Sequence, residues 1–255
     1  MDSGGKSSPD GPRRGGDPMT APEKIGAFFD LDGTLLAPPS LEWRFIGYLL
    51  AYDELGTQDV LRWLGHFATS IVPDPRGATL GNKHYLAGLR QSLASDWERS
   101  IPAGGPHFYP AAIERMVWHW AQGHRIVLVS GTLDFLAQAI ARRLPGAVET
   151  CATQLEASSG RWTGRLAGEH MSGEAKARAV RSLAARFGLS LWDSYAYGNS
   201  TSDLPMLDAV GRRVAVNPPA RLARIARSEG WPACNWTESA RAARGSQRLT
   251  AREAR

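Results

Sequence analysis

Three short apolar runs in this chain each stop abruptly at small polar or acidic residues. IGAFF meets Asp30-Leu31-Asp32-Gly33-Thr34, IVLV meets Ser130-Gly131-Thr132, and SYAY meets Gly198-Asn199-Ser200-Thr201-Ser202-Asp203. A run that is apolar throughout, with no polar alternation, suits a strand buried on both faces. Such strands belong to parallel sheets covered by helices. From 110 to 230 the strand-like runs alternate with helical patterns: PAAIERMVWHWAQG, LDFLAQAIARRL, GEAKARAVRSLAARFG, LPMLDAV and RLARIARSEG. That alternation predicts an α/β fold with a doubly wound parallel sheet. In such sheets ligands bind outside the carboxyl ends of the strands, so the three polar loops are where chemistry is expected.

The first strand is separated from the rest by a long helical stretch. LEWRFIGYLLAYDEL, TQDVLRWLGHFATSIV and NKHYLAGLRQSLASDWE carry apolar residues at three- and four-residue spacings, punctuated by Pro38, Pro39, Gly56, Pro73, Pro75, Pro102 and Pro106. The expected organisation is a core of 25–39 and 106–240 with an inserted helical cap at 40–105. Ser158–Gly160 separates VETCATQLEA from RWTGRLAG, which predicts a hairpin between those two segments. His119 sits in a helix between two Trp residues and is read as a packing or surface residue.

The formal net charge of +5 invites a nucleic-acid reading, but its location argues against one. Residues 241–255 hold five Arg against one Glu, residues 1–24 are balanced, and the body between carries only +1. The basicity belongs to a C-terminal tail, and no nucleic-acid partner is expected. The first 24 residues, rich in Gly, Pro, Ser and charge, read as disordered and lack the apolar stretch of a signal peptide. No apolar run reaches the ~18 residues of a membrane span. Cys151 and Cys234 stand far apart, in no metal-ligand spacing, which fits a reducing, cytoplasmic setting.

The strand ends and Lys176 together supply two close carboxylates, a hydroxyl with neighbouring amides, a further acid and a cation. Asp30 and Asp32, one residue apart, are costly to bury without a cation, and a hard divalent ion with oxygen ligands answers that cost. A carboxylate can attack phosphorus to form an aspartyl-phosphate. Attack of an anion on an anion requires positive charge nearby, which Mg²⁺ and Lys176 would provide. Ser130 and Gly131, read as opening a helix, make an anion site. Each motif alone is weak, since Ser-Gly-Thr is also an ordinary helix cap and a first-turn Lys is usually solvated. The weight lies in all four occurring in this order, each after a strand or at a helix start.

In that order the motifs resemble those of the haloacid dehalogenase superfamily. FFDLDGTLL is similar to its first motif, VLVSGT to its second, the Lys of GEAKARAV to its third and YGNSTSDLPML to its fourth. The helical insertion after motif one resembles the phosphoserine-phosphatase-like branch, subfamily IB, with a cap of type C1 on a Rossmann-like core. The likeness spans about residues 25–240. It implies a Mg²⁺-dependent phosphatase acting on a small phosphorylated metabolite. Asp30 would be the nucleophile and a metal ligand. Asp32 would be the general acid and base, offering its backbone carbonyl to the metal. Thr34 would support the loop and, with Lys176, count among the phosphate-binding residues, while Ser130 and the Gly131 amide would hold phosphate oxygens. Lys176 would neutralise charge between nucleophile and phosphate. Asp203 would hold the metal through its water shell or orient Lys176.

Two positions depart from the family pattern. Asn199 stands where an Asp normally binds Mg²⁺ directly, so weaker metal binding is expected, with more of the load on Asp203. The acid that recognises the amine of phosphoserine is replaced near Pro38–Pro39, with Glu42 the nearest carboxylate. Phosphoserine is therefore not assigned, and Arg44, Lys83, His84, Tyr85 and Arg90 are candidate contacts in the cap. Transfer of the phosphoryl group to an alcohol acceptor uses the same intermediate. A descendant that only binds phosphorylated ligands is a third reading, supported by Asn199 alone. Sequence leaves the substrate and the oligomeric state open.

Overall fold

The computed structural model describes residues 24–56, 83–102 and 106–237. Of the tail expected at 1–24, residues 1–23 lie outside the described residues and Lys24 opens the first strand; the expected tail at 241–255 and the helical pattern TQDVLRWLGHFATSIV also lie outside them. The described elements are β1 (Lys24–Phe29), α1 (Leu41–Ala51), α2 (Ser92–Ser100), α3 (Pro110–Ala121), β2 (Arg125–Leu133), α4 (Asp134–Ala141) and β3 (Val148–Thr153). Then follow β4 (Leu155–Ser158), β5 (Arg161–Leu166), α5 (Glu174–Phe187), β6 (Leu189–Gly198), α6 (Leu204–Asp208), β7 (Arg212–Val216), α7 (Ala220–Ser228) and β8 (Ala233–Cys234).

Six strands form one sheet in the order β3-β2-β1-β6-β7-β8, and every described pairing in it is parallel. The chain winds outward from β1 in one direction, then returns to β1's other side with β6. The strand order therefore reverses between β1 and β6, which opens a crevice at their carboxyl ends. The doubly wound expectation holds.

The lack of alternation in the strands has a direct packing consequence. Ala27 and Phe29 of β1, Ile126 and Leu128 of β2 and Tyr197 of β6 enter one core, shared with α1 to α4. Phe28, Val127, Val129 and Ala196 enter a second core on the opposite face, shared with α5, α6 and α7. Successive side chains point to opposite faces and both faces are dry, so polar residues have no place in the runs. Phe29 stacks on Tyr197 with ring centroids 4.3 Å apart, which ties β1 to β6 beside the crevice. His119 is wholly buried, hydrogen-bonded to the Tyr197 hydroxyl (2.9 Å) and to His124 (2.8 Å). Burial, with help from His124 and Arg115, depresses it to about 3, so it is a neutral core residue.

Between β1 and α3 the described segments are helical, with one difference from expectation. The pattern from Asn82 to Glu98 is broken: a 3-10 turn covers His84–Leu86, Gly88 takes φ +88°, and α2 starts only at Ser92. The break has a tertiary cause. The Gly88 amide donates to the Trp162 carbonyl (2.8 Å) and the Trp162 amide to the Leu89 carbonyl (3.0 Å), so this segment pairs with β5. The predicted hairpin is also redistributed. VETCAT joins the main sheet as β3, and only Leu155–Ser158 folds back on β5. Phe45 of α1 meets Trp97, Phe135 and Trp162 edge-on, locking α1, α2, α4 and the hairpin together.

Candidate active site

Asp30 follows directly on β1, and its amide donates to the Tyr197 carbonyl (2.9 Å) as a last rung towards β6. The chain then turns sharply. The Leu35 and Leu36 amides return to the Leu31 carbonyl, both at 3.0 Å, and Gly33 takes φ +83°. A Cβ on Gly33 would lie 2.0 Å from Asn199 Nδ2, so this position needs glycine for both conformation and space. At the end of β7, Asn217 donates Nδ2 to the Gly33 carbonyl (3.1 Å). Its Oδ1 accepts from the amides of Trp236 (2.7 Å) and Thr237 (3.1 Å). One side chain thereby clamps the first loop to the far side of the sheet.

Asp30 is 6% exposed, with one oxygen accepting from Lys176 Nζ (2.6 Å) and the other from Thr34 Oγ1 (3.0 Å). Lys176, in the first turn of α5, also donates to Asp203 Oδ1 (2.6 Å). A cation is poorly placed at a helix N-terminus, and the two carboxylates compensate. Burial alone would depress Lys176, but Asp30 and Asp203 more than reverse this and hold it charged. Burial raises Asp30, with Lys176 opposing and Asp203 adding to the rise.

Asp203 is fully committed. Its Oδ2 accepts from the amides of Asn199 (3.1 Å) and Ser200 (2.9 Å) and from Ser200 Oγ (2.8 Å), while Oδ1 holds Lys176. Of the two roles expected of it, orienting Lys176 is the one these contacts serve. No group of three or more His, Cys, Asp or Glu side chains among the described residues is arranged to hold a metal ion. Asp32 is differently placed: its Oδ1 accepts from the Leu41 amide at the start of α1 (2.8 Å). Burial raises it to about 6, the Leu41 amide lowering it and nearby Glu42 raising it.

A cavity of about 360 Å³ joins these groups, lined by Asp30, Asp32, Ser130, Gly131, Lys176 and Asn199 among others. Two expectations change in detail. Ser130 and Gly131 do not open a helix: α4 begins at Asp134, and the β2–β3 register skips from Ser130 to Leu133, so Gly131 and Thr132 bulge out of the ladder. Thr34, expected among the phosphate-binding residues, is wholly buried behind Asp30 and absent from the cavity lining, so it buttresses the Asp30 carboxylate instead of facing the cavity. Of the candidate cap contacts, Lys83 lines the cavity and Tyr85 stands just behind it, both bound to Glu42. Arg44 instead braces the first loop through the Ala37 and Pro39 carbonyls, and Arg90 pairs with Glu54 away from the cavity.

Sequence reasoning passed over His170 and Asn217. His170 covers Gly131 closely enough that a Cβ there would meet its Cε1 at 2.9 Å. The His170 loop is pinned by Thr153, whose Oγ1 donates to the Gly131 carbonyl (2.8 Å) and accepts from the Met171 amide (3.1 Å). A signal for Asn217 was present, because RVAV ends at a polar residue just as the other three runs do.

The family model described as haloacid dehalogenase-like hydrolase matches residues 27–208. The phosphoserine phosphatase SerB1 of Mycobacterium tuberculosis is 37% identical over 233 residues, covering 86% of this chain and 73% of the relative. A probable phosphatase of the same organism is 33% identical over 229 residues, covering 86% and 78%. Among solved structures, a protein of unknown function from Bordetella pertussis superposes with a TM-score of 0.69 at 28% identity, covering 84% of this chain and 99% of that one.

Proposed function

Because the chain belongs to the haloacid dehalogenase-like hydrolase family, we propose that it is a Mg²⁺-dependent phosphatase, similar to the phosphoserine phosphatases, that hydrolyses a small phosphomonoester through an aspartyl-phosphate on Asp30. The observation that supports this most is Lys176 Nζ, 2.6 Å from both Asp30 and Asp203 in a buried position beside Ser130 and Gly131. A lysine held this way keeps the attacking carboxylate oriented and offsets the charge of an arriving phosphate.

In the first step an Asp30 oxygen bonds to phosphorus as the bond to the leaving alcohol oxygen breaks. Asp32, as the carboxylic acid, gives its proton to that oxygen. In the second step Asp32, now a carboxylate, takes a proton from water. The water oxygen bonds to phosphorus, and the bond to Asp30 breaks, releasing inorganic phosphate. A group raised to about 6 suits a residue that must be acid and then base near neutral pH. The Ser130 hydroxyl and the Gly131 amide hold phosphate oxygens throughout.

The donor set suits a hard cation that keeps much of its water: Asp30, Asp32 and Asn199 line the cavity, with no soft ligand among them. The Asp30 carboxylate, the Asp32 carbonyl and the Asn199 amide oxygen would hold it. Mg²⁺ bound there supplies charge neutralisation. Residues 40–105 act as the cap that selects the substrate. The test is phosphate release from a panel of phosphomonoesters with and without Mg²⁺. Release that needs Mg²⁺, together with a hydroxylamine-labile phosphoryl-protein that Asp30→Asn cannot form, is expected. No release from any member of the panel refutes the proposal. Diversion of the phosphoryl group to added alcohols would move the reading to phosphotransfer.

A further inference from the structure

We propose that the leaving-group end of the cavity, built from Glu42, Lys83, Tyr85 and His170, selects phosphomonoesters of uncharged alcohols and discriminates against those bearing an ammonium group. The inference rests on the phosphatase reading above and names the substrate class for it.

Glu42, Lys83 and His170 line the same cavity as Asp30 and Asp32. A carboxylate in such a place ordinarily receives a cation. Here the cation is already built in: Lys83 Nζ lies 2.6 Å from both oxygens of Glu42, and Tyr85 Oη donates to one of them at 2.7 Å. Lys83 is 4% exposed, so the pair is not a loose surface contact that a ligand could displace cheaply. Glu42 is thereby neutralised. A substrate ammonium reaching for its remaining lone pairs would stand close to the Lys83 charge, with Lys176 beyond it.

His170 lines the same cavity. Burial, with Lys83 adding to it and Glu42 opposing, holds it down at about 4, so at pH 7 it brings no charge of its own. An ammonium therefore meets the Lys83 charge with no free anion beside it, whereas an alcohol hydroxyl carries no charge for Lys83 to repel. The volume of about 360 Å³ suits a small leaving group.

The test compares 2-hydroxyethyl phosphate with O-phosphoethanolamine, which differ only by hydroxyl against ammonium. The readout is the ratio of their kcat/KM values on one preparation, so the active fraction cancels. Wild type should favour the hydroxyl compound by at least about tenfold, as expected for one partly screened like-charge contact. Lys83→Met frees Glu42 and should lower that ratio by about tenfold or more. Should that variant fail to fold, the double variant Glu42→Gln/Lys83→Met leaves no unpaired charge, and its ratio should fall close to one. A wild type that favours phosphoethanolamine, or a ratio unmoved in the folded variant, overturns the proposal. An enzyme active on an aryl phosphate but indifferent between the two substrates defeats only this subsite. An enzyme inactive on all three defeats the phosphatase reading itself.

Discussion

Replacing Asp203 by Asn should destabilise the protein far more than replacing Asp30 by Asn, although Asp30 is the proposed nucleophile. Asp203 accepts four hydrogen bonds, from Lys176 Nζ on one oxygen and from two amides and a hydroxyl on the other. An amide can keep only one side as acceptor. Either its NH₂ faces the buried ammonium of Lys176, or it faces the Asn199 and Ser200 amides. Both choices set donor against donor at a site 1% exposed. Each stranded buried donor costs ~1–3 kcal/mol, and breaking a buried pair from one side costs ~3–5 kcal/mol in all.

Asp30→Asn meets a softer environment. Its carbonyl can still face Lys176, which keeps Asp203, and its NH₂ can donate to Thr34 Oγ1, a hydroxyl free to turn and accept. It also removes one charge from a set of crowded acids. The cost should be no more than about 1 kcal/mol. For a domain of this size 1 kcal/mol moves Tm by ~2–4 °C, so a difference of ~2–5 kcal/mol should make Asp203→Asn melt roughly 4–20 °C below Asp30→Asn. The assay is thermal unfolding followed by circular dichroism, in EDTA so that no metal contributes. Phosphate release should vanish in Asp30→Asn and fall by ~10²–10³-fold in Asp203→Asn through displacement of Lys176. Equal melting temperatures in EDTA, with a raised Mg²⁺ requirement in Asp203→Asn, would refute the assignment of Asp203 as a structural anchor and make it a metal ligand.

Three further outcomes follow from single contacts. Gly33→Ala would place a methyl group 2.0 Å from Asn199 Nδ2 at a positive φ. It should lower stability by ~2 kcal/mol or more, read from urea unfolding, and raise the Mg²⁺ concentration for half-maximal activity by pushing Asn199 aside. Asn199→Asp adds a negative charge beside the cation site and should lower that concentration by roughly tenfold in a Mg²⁺ titration; an unchanged midpoint would mean that residue 199 does not meet the metal. His119, held near 3 in the folded state against an ordinary 6.5, makes the unfolded state the better proton acceptor below about pH 6.5. Stability should therefore be unaffected by this residue above that pH and decline by up to ~1.4 kcal/mol per pH unit below it, a slope that His119→Gln removes in pH-dependent unfolding.

The parts of this protein visible in its sequence are those carried by local pattern. Residues 25–29 and 126–129 lack any polar member because both faces of their strands are covered, so the strands and the position of Asp30 could be read directly. Lys176 became legible only through the order of four segments, since nothing local distinguishes a lysine in a first helical turn. The break at Gly88 was hidden because helical spacing continues across it, and the cause is the backbone of Trp162 more than 70 residues away. For the same reason VETCAT was grouped with the hairpin: its alternation fits an exposed strand, yet it sits at a sheet edge with its residues half covered. The commitment of Asp203 to three donors of its own loop, and the neutralisation of Glu42 by Lys83, are pairings of specific atoms that no periodicity records.

The charge arrangement around the cavity gives those pairings a common purpose. Asp30, Asp32 and Asp203 would together repel a phosphate dianion, yet their charges are not equally available to it. Asp203 is spent on Lys176 and on two backbone amides, and Lys176 is shared with Asp30. Asn199 contributes an oxygen without a charge. The field left for an arriving phosphate is therefore that of roughly one carboxylate pair, which a single divalent cation can cancel. At the far end of the cavity, Glu42 and Lys83 cancel each other. Charge attraction is thus concentrated at the phosphate, while Lys83, held against Glu42, leaves a charged leaving group no free anion to meet. Coulomb attraction would reward any phosphomonoester alike, so discrimination between substrates falls to the leaving-group end and to the shape of the cavity.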